Sequence, residues 1–179
     1  MRRTGLWFMT IMTLLLTGCG AAREQAAFES WRGGLAAAAE ITFDAQIRAC
    51  WQDGASSFAV RVTHRDGETA ATVTAPEPIA GIVFRRGAEK GSLEFDGLIL
   101  DMDAGHEDEA APCDAPWLLL AAITDGWPTA FGREGAYDTV SLEAPGGDVL
   151  TLWRAGDGTP VYAEIARGGV TQLTITIEN

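Results

Sequence analysis

The chain has 179 residues, 13 of them basic and 25 acidic, for a formal net charge of −12. That balance excludes nucleic acid as a partner and excludes direct electrostatic capture of anionic headgroups, since both need clustered Lys and Arg. With 47% apolar residues, the length suits one domain with a sizeable core.

Arg2 and Arg3 precede an apolar run holding Leu6, Trp7, Phe8, Met9, Ile11, Met12, Leu14, Leu15 and Leu16. A positive start, an apolar stretch and small residues after it make an export signal. The run is too short to cross a bilayer core, which takes roughly 20 apolar residues. Leu16-Thr17-Gly18-Cys19 resembles the lipobox of bacterial lipoproteins. The resemblance implies cleavage after Gly18 and a diacylglyceryl group on Cys19. The protein is then extracytoplasmic and membrane-anchored, on the outer face of the cytoplasmic membrane or on an outer membrane if one is present. Two acyl chains, at about 0.8 kcal/mol per buried CH₂, hold stably where one holds marginally. The expected organisation is a signal peptide over 1–18, a lipidated tether over 19–25 and one domain over 26–179. Residues 1–18 contain two arginines and no acid, so their removal takes the net charge from −12 to −14.

Residues 20–39 are alanine-rich, with Phe28, Trp31 and Leu35 three and four apart. That spacing predicts a helix with one apolar stripe for docking. Gly33-Gly34 weakens its last turn.

From Ile41 the period becomes 2. Ile41, Phe43, Ala45, Ile47 and Ala49 alternate with Thr42, Asp44, Gln46 and Arg48, predicting a strand with one wet face. Phe58, Val60 and Val62 begin a second strand, and Asp66-Gly67 is a strong hairpin signal because a type I′ turn needs positive φ at both central residues. Ala70 to Ala75 is a third strand, stopped by Pro76-Glu77-Pro78. Ile82, Val83 and Phe84, then Leu93 and Phe95, then Leu98 to Met102 after Asp96-Gly97, complete a six-stranded meander.

Asp101 to Asp114 reads as an exposed acidic loop. Asp101 and Asp103 are spaced like the first ligands of a calcium loop, but Gly105, His106 and Pro112 stand where the third ligand, the turn glycine and the closing glutamate belong. No metal is expected. Asp114 is placed as an N-cap with Pro116 in the first turn, and Trp117 to Ile123 form a helix apolar nearly all round, ended by Gly126 and Pro128. Four further strands follow, around Val140 and Leu142, Leu150 and Leu152, Val161 to Ile165, and Leu173 to Ile177.

Cys50 and Cys113 form an even pair in an exported domain, which permits one disulfide. It would close a loop of about 60 residues and contribute roughly 4 kcal/mol. Two buried free thiols are the alternative.

Ten strands and one apolar helix predict an α+β fold, a curved antiparallel sheet wrapped round the helix with a second helix at the N-terminus. Thr72 to Glu77, Gly81 to Phe84, Leu93 to Leu98 and the hairpin Asp157 to Ile165 resemble the LolA/LolB-like superfamily of extracytoplasmic carriers and lipoproteins. The resemblance implies an incomplete barrel whose concavity takes acyl chains or lipidated molecules. The arginine that lines that concavity in LolA has no clear counterpart, because Arg48, Arg61 and Arg85 fall on the polar face.

The candidate ligand-lining residues are Phe43, Ile47, Phe58, Val60, Phe84, Phe95, Leu119 and Ile123. The competing view is that they fill an ordinary core. An enzyme is not expected: His64 and His106 are the only histidines, and no nucleophile elbow, metal-ligand spacing or phosphate loop occurs. No cofactor is expected either. The alternative to a hydrophobic ligand is a structural or regulatory lipoprotein that binds an envelope protein through a sheet edge or through the face carrying Trp153 and Tyr162.

Overall fold

A computed structural model describes residues 22–51, 54–88, 90–103, 111–144 and 146–178. Cys19 and His106 lie outside them. Helix α1 covers residues 22–36, so residues 22–25, assigned above to the tether, are helical. The strands are β1 (Glu40–Trp51), β2 (Gly54–Arg65), β3 (Glu68–Ala75), β4 (Val83–Arg86), β5 (Lys90–Phe95) and β6 (Leu98–Asp103). Helix α2 (Ala115–Asp125) follows, then β7 (Trp127–Glu134), β8 (Tyr137–Glu143), β9 (Val149–Arg154), β10 (Pro160–Arg167) and β11 (Val170–Glu178).

All eleven strands form one antiparallel sheet in the order β6-β5-β4-β3-β2-β1-β11-β10-β9-β8-β7. Each half is a meander of neighbours in sequence, and β1 pairs with β11 to join them, with Ala45 opposite Ile177 and Ile47 opposite Ile175. Among the described residues β6 and β7 are each paired on one side only, so the sheet is open.

Local chemistry accounts for most of this. At Asp66-Gly67 and Asp96-Gly97 both residues have positive φ, as the sequence requires of a type I′ turn. In β1 the odd residues Ala45, Ile47 and Ala49 are buried and Gln46 and Arg48 are exposed. The strand missed by sequence is β7. Its Pro128 reads in the sequence as a stop signal, but a proline is tolerated on an edge strand, and the β7–β8 register shifts between Pro128 and Ala130.

Helix α2 buries Ala115, Pro116, Leu119, Leu120, Ala122 and Ile123. Asp114 precedes it but makes no capping hydrogen bond; its carboxylate instead stands 3.6 Å from Arg86 Nη1. The helix touches β3, β8 and β10. In a flat sheet β3 and β8, six positions apart, would be about 29 Å from each other. A straight helix about 16 Å long could not reach both, so the sheet bends toward it.

Cys50 and Cys113 are both free thiols, not a disulfide. Cys50 follows buried Ala49 in β1, so it stands on the outer face, whereas Cys113 leads into α2 on the inner one.

Candidate functional site

The inner face is defined by strand register. Phe43, Ala45 and Ile47 of β1 stand opposite Val62, Val60 and Phe58 of β2, and opposite Ile177 and Ile175 of β11 for Ala45 and Ile47. Ala71 of β3 faces Phe84 of β4, which faces Leu93 of β5. Both helices pack on this side. From α1, Phe28 is fully buried against Phe131 of β7, with ring centroids 6.0 Å apart, and Trp31 and Leu35 pack on the core.

Between the helices and the sheet lies an apolar cavity of about 170 Å³. Trp31 and Leu35 line it from α1; Leu119, Leu120 and Ile123 from α2; Ile41, Thr42 and Phe43 from β1; and Pro160 and Ile177 from β10 and β11. The cavity is partly open to solvent, with Thr42 exposed at its rim, and its volume is about enough for a ring the size of benzene. A long acyl chain needs more room, which α1 would have to provide by moving.

The predicted lining residues divide into three groups. Phe43, Leu119 and Ile123 line the cavity. Ile47 and Val60 are buried core, and Phe58 and Phe84 pack against that core. Phe95 is 43% exposed, a correction: it sits at the end of β5 opposite Leu98, beyond the cover of the helices. Trp31, Leu35, Ile41, Pro160 and Ile177 were not on the predicted set, although the first two lay on the stripe predicted to dock.

Two inward arginines were also missed. Arg154 of β9 is 6% exposed, with its guanidinium 5.3 Å from the Phe28 ring centroid and 5.6 Å from that of Trp31. Burial pulls its pKa down, while Asp138 and Glu24 oppose that. Arg86 of β4 lies 5.2 Å from the Trp117 ring centroid. The Nε of each is buried without a hydrogen-bond partner among the described residues. Parity was the available signal, since Arg86 continues Ile82 and Phe84, and Arg154 continues Leu150 and Leu152. Arg61 and Arg85 face outward as expected, Arg61 binding Asp44 at 2.8 and 2.9 Å and Arg85 reaching Glu68 at 3.4 Å.

His64 is half-buried, and its Nδ1 lies 2.9 Å from Thr69 Oγ1. Among the described residues no group of three or more His, Cys, Asp or Glu is placed to hold a metal. No helix among them is long and apolar enough to cross a membrane.

No protein-family model matches the chain, and no curated protein matches it. Solved structures do. The chain is similar to a DUF1329 family protein from Desulfovibrio piger, at 10% identity and a TM-score of 0.49, over 87% of this chain and 91% of that one. It is similar to a LolA superfamily protein from Nitrosomonas europaea, at 10% identity and a TM-score of 0.43, over 78% and 84%. It is also similar to the lipoprotein LppX from Mycobacterium tuberculosis, at 15% identity and a TM-score of 0.38, over 86% and 94%.

Proposed function

We propose that the protein is an exported lipoprotein, anchored through Cys19, whose bent sheet holds a hydrophobic ligand, a lipid or an acylated molecule, beneath α1 and α2. The observation that carries this is the apolar cavity between Trp31, Phe43, Leu119 and Ile123. A fully packed core leaves few voids larger than a water molecule, so apolar space under an N-terminal helix favours a ligand over mere filling. The sequence of Leu16 to Cys19 supports the anchor.

Residues 20–179 retain every described element of the fold. Native mass spectrometry of that segment, purified without detergent, tests the proposal. The expected result is an adduct of acyl-chain mass, released on denaturation. A clean apo mass, together with no uptake of added fatty acid or lipopeptide, would overturn it.

A second reading is supported by edge strand β6, where Leu98, Ile99 and Leu100 are 76%, 69% and 62% exposed. An apolar strand with one edge unpaired among the described residues suits strand addition by an envelope protein. Cross-linking from Ile99 with recovery of one partner would favour that reading.

A further inference from the structure

The outer face of the sheet carries a second recess, on the side away from the helices. Trp153 lies between buried Leu152 and Arg154 in β9, and Tyr162 precedes buried Ala163 in β10, so both rings project outward. They are direct cross-strand partners, with centroids 5.1 Å apart and planes inclined by 60°. The β7–β8 turn folds against them. Glu134 accepts a 2.8 Å hydrogen bond from Trp153 Nε1, and Glu164 accepts one at 3.0 Å from the Tyr162 hydroxyl. Tyr137, 44% exposed, closes one side of a recess of about 680 Å³.

The composition of this lining is selective. It holds three aromatic rings and two carboxylates, with no Lys, Arg or His. Among the described residues neither Glu134 nor Glu164 has an ion-pair partner. The aromatic faces present negative charge density, and so do the carboxylates, so an anion is repelled. A neutral apolar guest would strip water from two carboxylates and give nothing back. A cation with an apolar skin satisfies both features at once. Each carboxylate already accepts a bond from a ring, which holds the rings in place and leaves charge, more than hydrogen bonding, for the guest.

We propose that the recess of Trp153, Tyr162, Tyr137, Glu134 and Glu164 is a binding site for a methylated alkylammonium group, a second site that shares only Ile177 with the apolar cavity on the inner face. The group has two sources, a free small cation or the headgroup of a choline lipid.

The test uses the full chain in maltoside micelles with isotope-labelled tryptophan, reading the Nε1–H resonance of Trp153, assigned by its loss in Trp153→Phe. Choline is expected to shift that resonance saturably. Dimethylbutanol, its neutral isostere, should bind at least about tenfold more weakly, and Glu164→Gln and Glu134→Gln should each weaken choline about tenfold. The other tryptophan resonances, unmoved in both variants, report that the fold is intact. Saturation by soluble short-chain phosphatidylcholine at lower concentration than by choline would assign the headgroup as the source. Equal responses to choline and its isostere, a response to N-acetylglucosamine alone, or no shift would overturn the proposal.

Discussion

The guanidinium of Arg32 donates a 2.9 Å hydrogen bond from Nη1 to the carbonyl oxygen of Gly126, the residue that ends α2. The same side chain binds Glu29 at 2.6 Å and lies 5.6 Å from the Phe28 ring centroid. One arginine therefore ties α1 to the terminus of α2, and both helices to the roof of the cavity. Arg32→Ala is expected to cost about 1–2 kcal/mol in denaturant unfolding and to speed uptake of a hydrophobic fluorescent probe. An unchanged uptake rate would show that α1 is not the cover.

Gly126 is needed for its missing side chain. Its backbone N–H bonds the carbonyl of Ala122, and a methyl on its Cα would overlap that carbonyl and crowd that of Glu143. Gly126→Ala should destabilise by about 2–3 kcal/mol, with the midpoint of chemical unfolding as the check.

Asp148 is 5% exposed and accepts bonds from Arg167 Nε and Nη2 at 2.7 and 2.8 Å. The pair pins the β8–β9 connection to the end of β10. Asp148→Ala removes both of these bonds from a guanidinium that is partly exposed, and a loss of about 1–2 kcal/mol is expected in the same measurement.

The Cys113 thiol is pushed up to about 11 from an ordinary 9.0, chiefly by burial and then by the charge of Asp114. The folded state thus favours the protonated thiol. Stability from this group is complete below about pH 9 and is lost as pH rises through 11, because the unfolded chain ionises first. Alkylation of Cys113 in the native protein should be slow at pH 8 and reach the rate of a free thiol only in denaturant. Comparison with Cys113→Ser across pH 8 to 11 isolates the stability effect.

Leu35 lines the cavity from α1, where a larger side chain meets free space instead of packed core. Leu35→Phe is expected to change stability by less than about 1.5 kcal/mol while abolishing ligand uptake in native mass spectrometry. Retained uptake would move the ligand elsewhere on the inner face.

How far the sequence reaches depends on whether local and global preferences agree. In β1 and β11 they agree: Ile47 and Ile175 are apolar, lie on the inner parity and are buried, and the Asp66 and Asp96 turns follow from backbone sterics alone. Arg86 and Arg154 violate the polar-out pattern, so a binary reading of Trp153-Arg154 points the arginine to solvent. The rings of Phe28, Trp31 and Trp117, brought in by the helices, together with the carboxylates of Asp114, Asp138 and Glu24, explain why the charge is tolerated. Phe95 fails in the opposite sense. Its alternation is right, but burial depends on what lies over the sheet at that point, and no local pattern encodes it. The cavity is a difference between volumes contributed by five separate elements, so no one stretch of chain carries it.

Strands β1 and β11 open and close the described sheet in sequence, yet they stand side by side at its middle. Their pairing has the greatest sequence separation of any strand pairing in the sheet, as in Asp44 opposite Glu178. Each meander is local and closes its loops cheaply, whereas the seam waits for the whole chain. Loss of β11 would not trim a margin; it would split the sheet into two unequal pieces, each with a fresh unpaired edge.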